Sequence, residues 1–217
     1  MPMTHRQRIE STLAFKETDR LPYSMWMHFP NRDRHPRRLA ELSLAYQKKY
    51  DLDFIKFMPF GMYSTIDYGM DLNVFPGFVD APVAQKPVIE KVSDWDNIRY
   101  VSGTAGEYAI VLEAQRILFE MMDEKLPFLQ TVFSPMTTAV KLSSPQLLVK
   151  HIAEDPQRVR KALEIITATT IEFVKATVAL GTDGLFFATQ MSTKNLIDDK
   201  THDAFVKKYD LEVLNGV

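Results

Sequence analysis

The chain contains no cysteine, which excludes disulfides, thiolate nucleophiles and cysteine-held metal sites within it. It also lacks a dominant charge. The formal net charge is −2 and there is no polybasic tail, so the electrostatic footprint of a nucleic-acid binder is missing. No apolar run reaches membrane-spanning length, and the opening Met-Pro-Met-Thr-His-Arg-Gln-Arg has no apolar signal core. Nucleic acid and membrane are therefore not expected partners, and the expected compartment is the cytoplasm. Repeats, low-complexity segments and Gly/Ser linkers are absent. The five histidines (His5, His28, His35, His151, His202) show neither His-x-x-x-His nor His-x-His spacing, so no metal site is expected inside the chain. Neither a Gly-x-Gly-x-x-Gly nor a Walker loop supports nucleotide binding.

What is present is an ordinary globular composition, 46% hydrophobic and 25% charged over 217 residues, which suits one domain with a substantial core. Thr4 to Lys16 reads as a short amphipathic helix, with Ile9, Thr12 and Leu13 opposite Arg6 and Glu10. Pro22 then forces extended backbone. The apolar, aromatic stretch from Leu21 to His28 predicts a buried first strand, with Tyr23, Met25 and Met27 on one face and Ser24, Trp26 and His28 on the other. A polar loop from Pro30 to Pro36 leads to a helix from Arg37 to Tyr50. The second strand is Asp53 to Pro59.

Residues 62–104 are irregular and too long for an ordinary connection, so a lid or insertion is expected there, with Ser93-Asp-Trp-Asp-Asn exposed. A helix from Ala105 to Asp123 precedes the third strand, Pro127 to Ser134, and a short helix runs through Leu142. Ser144-Pro145 and Asp155-Pro156 each place a capping side chain before a proline. The second of these helices runs to Leu180 and stops at Gly181. Gly184 to Gln190 is the fourth strand, and a helix from Thr201 to Leu214 follows. Strands alternating with helices imply a parallel α/β sheet. A closed β/α barrel needs eight strands and about 250 residues, so the pattern predicts the first four units of a TIM barrel, a single domain over 1–217 that stops short of closure.

The order and spacing of several short motifs resemble the uroporphyrinogen decarboxylase superfamily, which includes the haem-pathway decarboxylase and the corrinoid or coenzyme M methyltransferases. They are Arg8-Ile-Glu-Ser-Thr-Leu-Ala-Phe with Asp19-Arg-Leu-Pro; Leu52-Asp-Phe-Ile-Lys-Phe with Asp67-Tyr-Gly; Ser93-Asp-Trp; Phe133-Ser-Pro-Met-Thr; and Leu180-Gly-Thr-Asp-Gly. The resemblance implies the first part of that family's barrel. It also implies site positions this chain does not fill. The decarboxylase's Arg-Gln-Ala-Gly-Arg motif begins where Met27 and His28 stand, its essential aspartate falls at Phe60, and its tyrosine falls at Lys141. The methyltransferases' zinc ligands lie in later barrel strands. No cofactor is therefore expected within this chain, and zinc or corrinoid enters only if a further portion of barrel supplies ligands.

Barrel enzymes place chemistry at the carboxyl ends of strands. His28 could act there as acid or base, or simply cap the rim. Lys56, between Ile55 and Phe57, could be a catalytic amine or anion anchor, or a strand lysine reaching a neighbouring acid. Arg32 and Arg34 could bind carboxylates or phosphates, or belong to a solvated loop with Asp33. Phe60 and Tyr63 belong to an apolar rim (Phe57, Met58, Phe60, Met62, Tyr63) that suits a flat ligand, or to packing. Ser134 and Gln190 offer polar groups after the third and fourth strands, with helix capping the bland role of Ser134. The expected ligand is a tetrapyrrole, a corrinoid or a methylated compound, handled by a diverged decarboxylase or a corrinoid-dependent methyltransferase-like enzyme. The competing reading is a non-catalytic half-barrel or binding module, whose open edges would pair in a homodimer or with a C-terminal complement of the barrel.

Overall fold

The computed structural model describes residues 2–73 and 83–217. In chain order its elements are α1 (His5–Leu13), α2 (Pro36–Tyr50), β1 (Ile55–Phe57), α3 (Tyr63–Ile66), β2 (Asp71–Asn73), β3 (Val83–Lys86), a 3-10 turn (Val92–Asn97), α4 (Gly106–Met121), β4 (Phe128–Phe133), α5 (Pro135–Leu142), α6 (Pro145–Glu154), α7 (Pro156–Ala179), β5 (Gly184–Ala188), α8 (Asp199–His202), a single π-turn (Asp203–Lys207) and α9 (Lys208–Asn215). β1, β4 and β5 form one sheet in that order. β1 pairs with β4 in parallel, Lys56 opposite Leu129. The fold is thus α/β with parallel pairing. β2 and β3 form a separate antiparallel pair with a bulge at Asp71/Leu72. It lies within the segment expected to be irregular, of which residues 74–82 fall outside the described residues.

Helix ends follow local chemistry. Thr4 and Gln7 close a reciprocal capping box on α1. Ser144 accepts from the Leu147 N–H and Asp155 from the Arg158 N–H. Gly181, at φ +105°, ends the α7 turn in a conformation that costs glycine little. Along α7, Val159, Leu163, Ile166 and Val174 are buried, while Val178 is exposed.

The stretch from Leu21 to His28 corrects the sequence reading. It is extended but forms no strand, and Leu21, Tyr23, Met25, Trp26 and Met27 are all exposed. The physical reason is how its polar groups are satisfied. One backbone bond, Asp53 N–H to the Tyr23 carbonyl at 2.9 Å, joins it to the start of β1. The remaining contacts use side chains: the Tyr23 N–H donates to the Asp53 carboxylate at 2.8 Å, and the Ser24 hydroxyl to the Phe54 carbonyl at 2.7 Å. Side-chain bonds thus stand where ladder bonds between this stretch and the start of β1 would be.

The chain divides into two compact units, Met1–Phe60 with Ile110–Thr131 and Thr177–Phe186, and Gly61–Ala109 with Val132–Ala176 and Phe187–Val217. In the first, Phe57 packs on Phe128 at 5.3 Å between ring centroids, and Phe119 meets Phe128 edge-on at 4.8 Å. In the second, Tyr63 stacks on Phe133 at 5.3 Å and meets Tyr108 and Phe173. Trp95 also corrects an expectation. It is 2% exposed, because Asp94 accepts the Glu90 and Lys91 N–H groups and closes a turn that aims the indole inward, its N–H donating to His151 Nδ1 at 3.1 Å.

The first unit is locked where its strands begin. Asp53, fully buried, accepts from Arg8 and Arg20 at 2.5 Å each and lies 3.2 Å from His5 Nδ1. Asp183 accepts from both terminal nitrogens of Arg6 and from the Phe128 N–H, while Arg6 Nε donates to the Lys125 carbonyl. Three side chains of α1 therefore hold the starts of β1, β4 and β5. Burial alone would raise the Asp53 pKa, but the bonds from Arg20, Tyr23, His5 and Arg8 outweigh it and hold the value at about 2. A folded value below the ordinary 3.8 stabilises the fold above pH 4, and this contribution is lost as pH falls toward 2. Asp53→Ala leaves Arg8 buried with Asp19 as its remaining carboxylate, so the expected loss is about 3 kcal/mol, the low end for breaking a buried pair. Urea unfolding of the variant at pH 7 and pH 2.5 checks this. The gap from wild type should narrow markedly at the lower pH.

Candidate functional site

The sheet presents one face with an unusual occupant. Lys56 points to the side shared with Met58, just past the end of β1, by strand alternation. Leu129 pairs with Lys56 and so faces the same side, and Gly184 approaches Leu129 closely enough that a Cβ there would come within 2.9 Å of it. Phe186, two residues on, shares Gly184's side. The Lys56 side chain runs toward the carboxyl end of β1, placing Nζ 3.1 Å from Met58 Sδ. It lies 3.7 Å from the Trp26 ring centroid and 4.1 Å from that of Phe186.

Lys56 is 7% exposed, yet no carboxylate pairs with it among the described residues. Two ring faces and a thioether replace some of the lost hydration, and a cation–π contact contributes roughly 0.5–2 kcal/mol, but none supplies a counter-charge. Burial therefore prevails and lowers the Lys56 pKa from 10.5 to about 8. The covering rings are themselves open, Trp26 at 49% and Phe186 at 42%. A cavity of about 20 Å³, large enough for one water, is lined by Lys56 with Met25, Trp26, Met27 and Met58 among others.

Of the other residues expected at a site, His28, Arg32, Arg34 and Phe60 lie in the same unit as Lys56. The His28 ring meets Trp26 edge-on at 5.8 Å, with its Nδ1 3.9 Å from the Asp33 carboxylate. Asp33 is buried, which raises its pKa to about 6, although its own backbone N–H and Arg34 oppose the shift. Arg32 is exposed on the turn that starts at Phe29. The Arg34 guanidinium lies 5.4 Å from the Phe60 centroid, and Phe60 is buried at 6%.

Tyr63, Ser134 and Gln190 belong to the other unit. Tyr63 is 1% exposed inside its aromatic cluster, and burial raises the pKa of its phenol. With Phe57, Phe60 and Tyr63 all buried, the apolar residues after β1 are core packing. Ser134 is fully buried as the cap of α5. Its hydroxyl accepts from the Thr137 N–H and donates to the Thr137 hydroxyl, which in turn donates to the Ala188 carbonyl and accepts from the Gln190 N–H. The side chain of Gln190 is exposed.

Sequence reading missed Trp26 and Phe186 as the walls around Lys56, and Asp33 as a desolvated acid beside His28. Phe186 had a readable signal, since Gly184, Phe186 and Ala188 alternate onto one face. Trp26 had none, because its segment is not a strand.

No group of three or more His, Asp or Glu side chains among the described residues could hold a metal ion, and the chain has no cysteine. The residues therefore do not fit a zinc ion. No described helix is long and apolar enough to cross a membrane.

The sequence model described as uroporphyrinogen decarboxylase (URO-D) matches residues 4–217. A search of curated proteins finds no match. Among solved structures, a methyltransferase from Methanosarcina mazei superposes with a TM-score of 0.83 at 20% identity, over 99% of this chain and 67% of that one. At that identity the likeness shows the fold alone.

The unpaired ammonium gives a signed prediction. A folded pKa below the unfolded one means that protonation favours unfolding, so Lys56 costs stability below about pH 8, and the cost fades as pH rises toward 10.5. Lys56→Met should melt higher than wild type at pH 7 by roughly 2–8 °C, taking about 2–4 °C per kcal/mol for a chain of this size. Calorimetry at pH 7 and pH 10.5 should show the difference shrink at the higher pH.

Proposed function

Because the chain belongs to the uroporphyrinogen decarboxylase family, we propose that it is a methyltransferase-like member acting on a small molecule, with its ligand against the carboxyl end of β1 as in a β/α-barrel site. The observation that carries the location is Lys56, a buried amine without a carboxylate partner among the described residues, walled by the partly exposed rings of Trp26 and Phe186. An uncompensated polar group in such a place is what a ligand-binding site requires and what packing alone would avoid.

The reaction class rests on what stands at the decarboxylase's positions. That reaction needs arginines to hold carboxylates and an aspartate to hold pyrrole N–H groups. Met27 and His28 occupy the start of the arginine motif, and Phe60, where the aspartate belongs, is buried beneath Arg34. Lys141, in the tyrosine's place, lies over the Phe133 ring at 4.6 Å, and burial lowers its pKa. Phe60, in the aspartate's place, has no acceptor for a pyrrole N–H. Lys56, titrating near neutrality, can hold or release a proton at Nζ beside a bound ligand. His28 beside Asp33 offers a second group for the same purpose, and Arg32, on the turn between them and α2, can meet an anionic substituent.

A second reading is favoured by one observation. Leu21, Tyr23, Met25, Trp26 and Met27 form a run of exposed apolar residues, which suits a binding module that covers this segment with a partner.

Trp26 is one of two tryptophans and provides the test. Titration with methylated amines and thioethers should quench the fluorescence of the wild type and not that of Trp26→Phe. Uroporphyrinogen should release no carbon dioxide. Decarboxylation of uroporphyrinogen, or a response that survives in Trp26→Phe, contradicts the proposal.

A further inference from the structure

We propose that Lys56 is a nucleophilic amine that condenses with small aldehydes or ketones to form an imine on the open face of the sheet. This rests on the reading that a ligand occupies the Lys56 face, and it adds the ligand's chemical class, a compact carbonyl compound.

Three observations carry it. First, nothing in the packing requires an amine at this position. Leucine or methionine would fill the space between Trp26 and Phe186 without the cost of a desolvated cation, and no acid among the described residues takes up the charge. Second, the surroundings keep the lone pair available. The residues of β4 and β5, Phe128–Phe133 and Gly184–Ala188, include no titratable side chain, and on the covering segment His28 meets Trp26 with Asp33 beside it. Burial lowers the proton affinity of the amine, which raises its neutral fraction at physiological pH. Third, the walls suit the product. A protonated imine carries the same positive charge as the ammonium it replaces, and the Trp26 and Phe186 faces can flank it as they flank Nζ.

The step balances. The Nζ lone pair bonds to the carbonyl carbon, and the π electrons move to oxygen, which takes a proton to give a carbinolamine. Loss of that oxygen as water, with the two hydrogens that Nζ gives up, leaves the C=N bond. No oxidant or further reactant is needed. The cavity of about 20 Å³ beside Lys56 can hold the water released.

The experiment incubates the full-length chain with glycolaldehyde and sodium cyanoborohydride, then maps modified lysines by peptide mass. Lys150, Lys161 and Lys175 are exposed and serve as internal references. At pH 7 an amine with a pKa near 8 is neutral about 300 times more often than one near 10.5. Allowing for restricted access, Lys56 should be modified at least about tenfold faster than the references. Its rate should level off above pH 8 while theirs keep rising. Lys56→Arg keeps a cation between the rings and should lose only this adduct, with the fold and the reference rates unchanged.

Modification of Lys56 no faster than the references at both pH 7 and pH 9 overturns the inference. If ligands still quench Trp26 in that case, the site stands and only the imine chemistry falls, which would leave Lys56 as an anion anchor. If Lys56 reacts as expected while no methylated compound quenches Trp26, the nucleophile stands and the proposed methyltransferase-like function falls.

Discussion

Three polar side chains of one short helix hold the amino end of the sheet. His5, Arg6 and Arg8 of α1 reach Asp53, the Lys125 carbonyl and Asp183, which lie immediately before β1, β4 and β5. Asp19 joins through Arg8, and Arg20 through Asp53. A fully buried carboxylate bound by two guanidinium groups is costly to assemble and costlier to break. Its main consequence is register: β1, β4 and β5 begin from one fixed plane, and their opposite ends remain free to carry chemistry.

That division of labour explains why the family was legible in the sequence while its chemistry was not. The motifs that carry the resemblance mostly serve structure. Arg8, Asp19, Asp53 and Asp183 form the lock. Asp67 accepts the Glu107 N–H at the start of α4, Asp94 turns Trp95 into the core, and Ser134 caps α5. Each depends on charge or capping at short range, which leaves a readable pattern. Helix boundaries were legible for the same reason, as at Thr4, Ser144, Asp155 and Gly181.

What escaped the sequence depends on contacts between distant segments. The apolar alternation from Tyr23 to Met27 looks like a buried strand, but Asp53 meets the backbone of Tyr23, the Ser24 hydroxyl donates to the Phe54 carbonyl, and the apolar side chains stay exposed. Phe60 and Tyr63 look like a ligand rim and are core. Lys56 stood out as a lysine in an apolar strand, and a neighbouring acid was the simplest partner to expect. Its actual neighbours are two rings, one from an unpaired segment before β1 and one from β5, and no local pattern announces that combination.

The two ends of the sheet thus use opposite electrostatics. At the amino end every buried charge is matched, and the carboxylates of Asp53 and Asp183 stay ionised. At the other end the Lys56 amine lies between aromatic walls with no carboxylate partner among the described residues. The most direct test of this account is an NMR titration of the Lys56 side chain in the intact protein, following its ε-carbon from pH 6 to pH 11. A midpoint near 8, well below the ordinary lysine value, is the result the structure predicts. A midpoint near 10.5 would mean that Lys56 is hydrated or paired in solution, and would contradict the site as described.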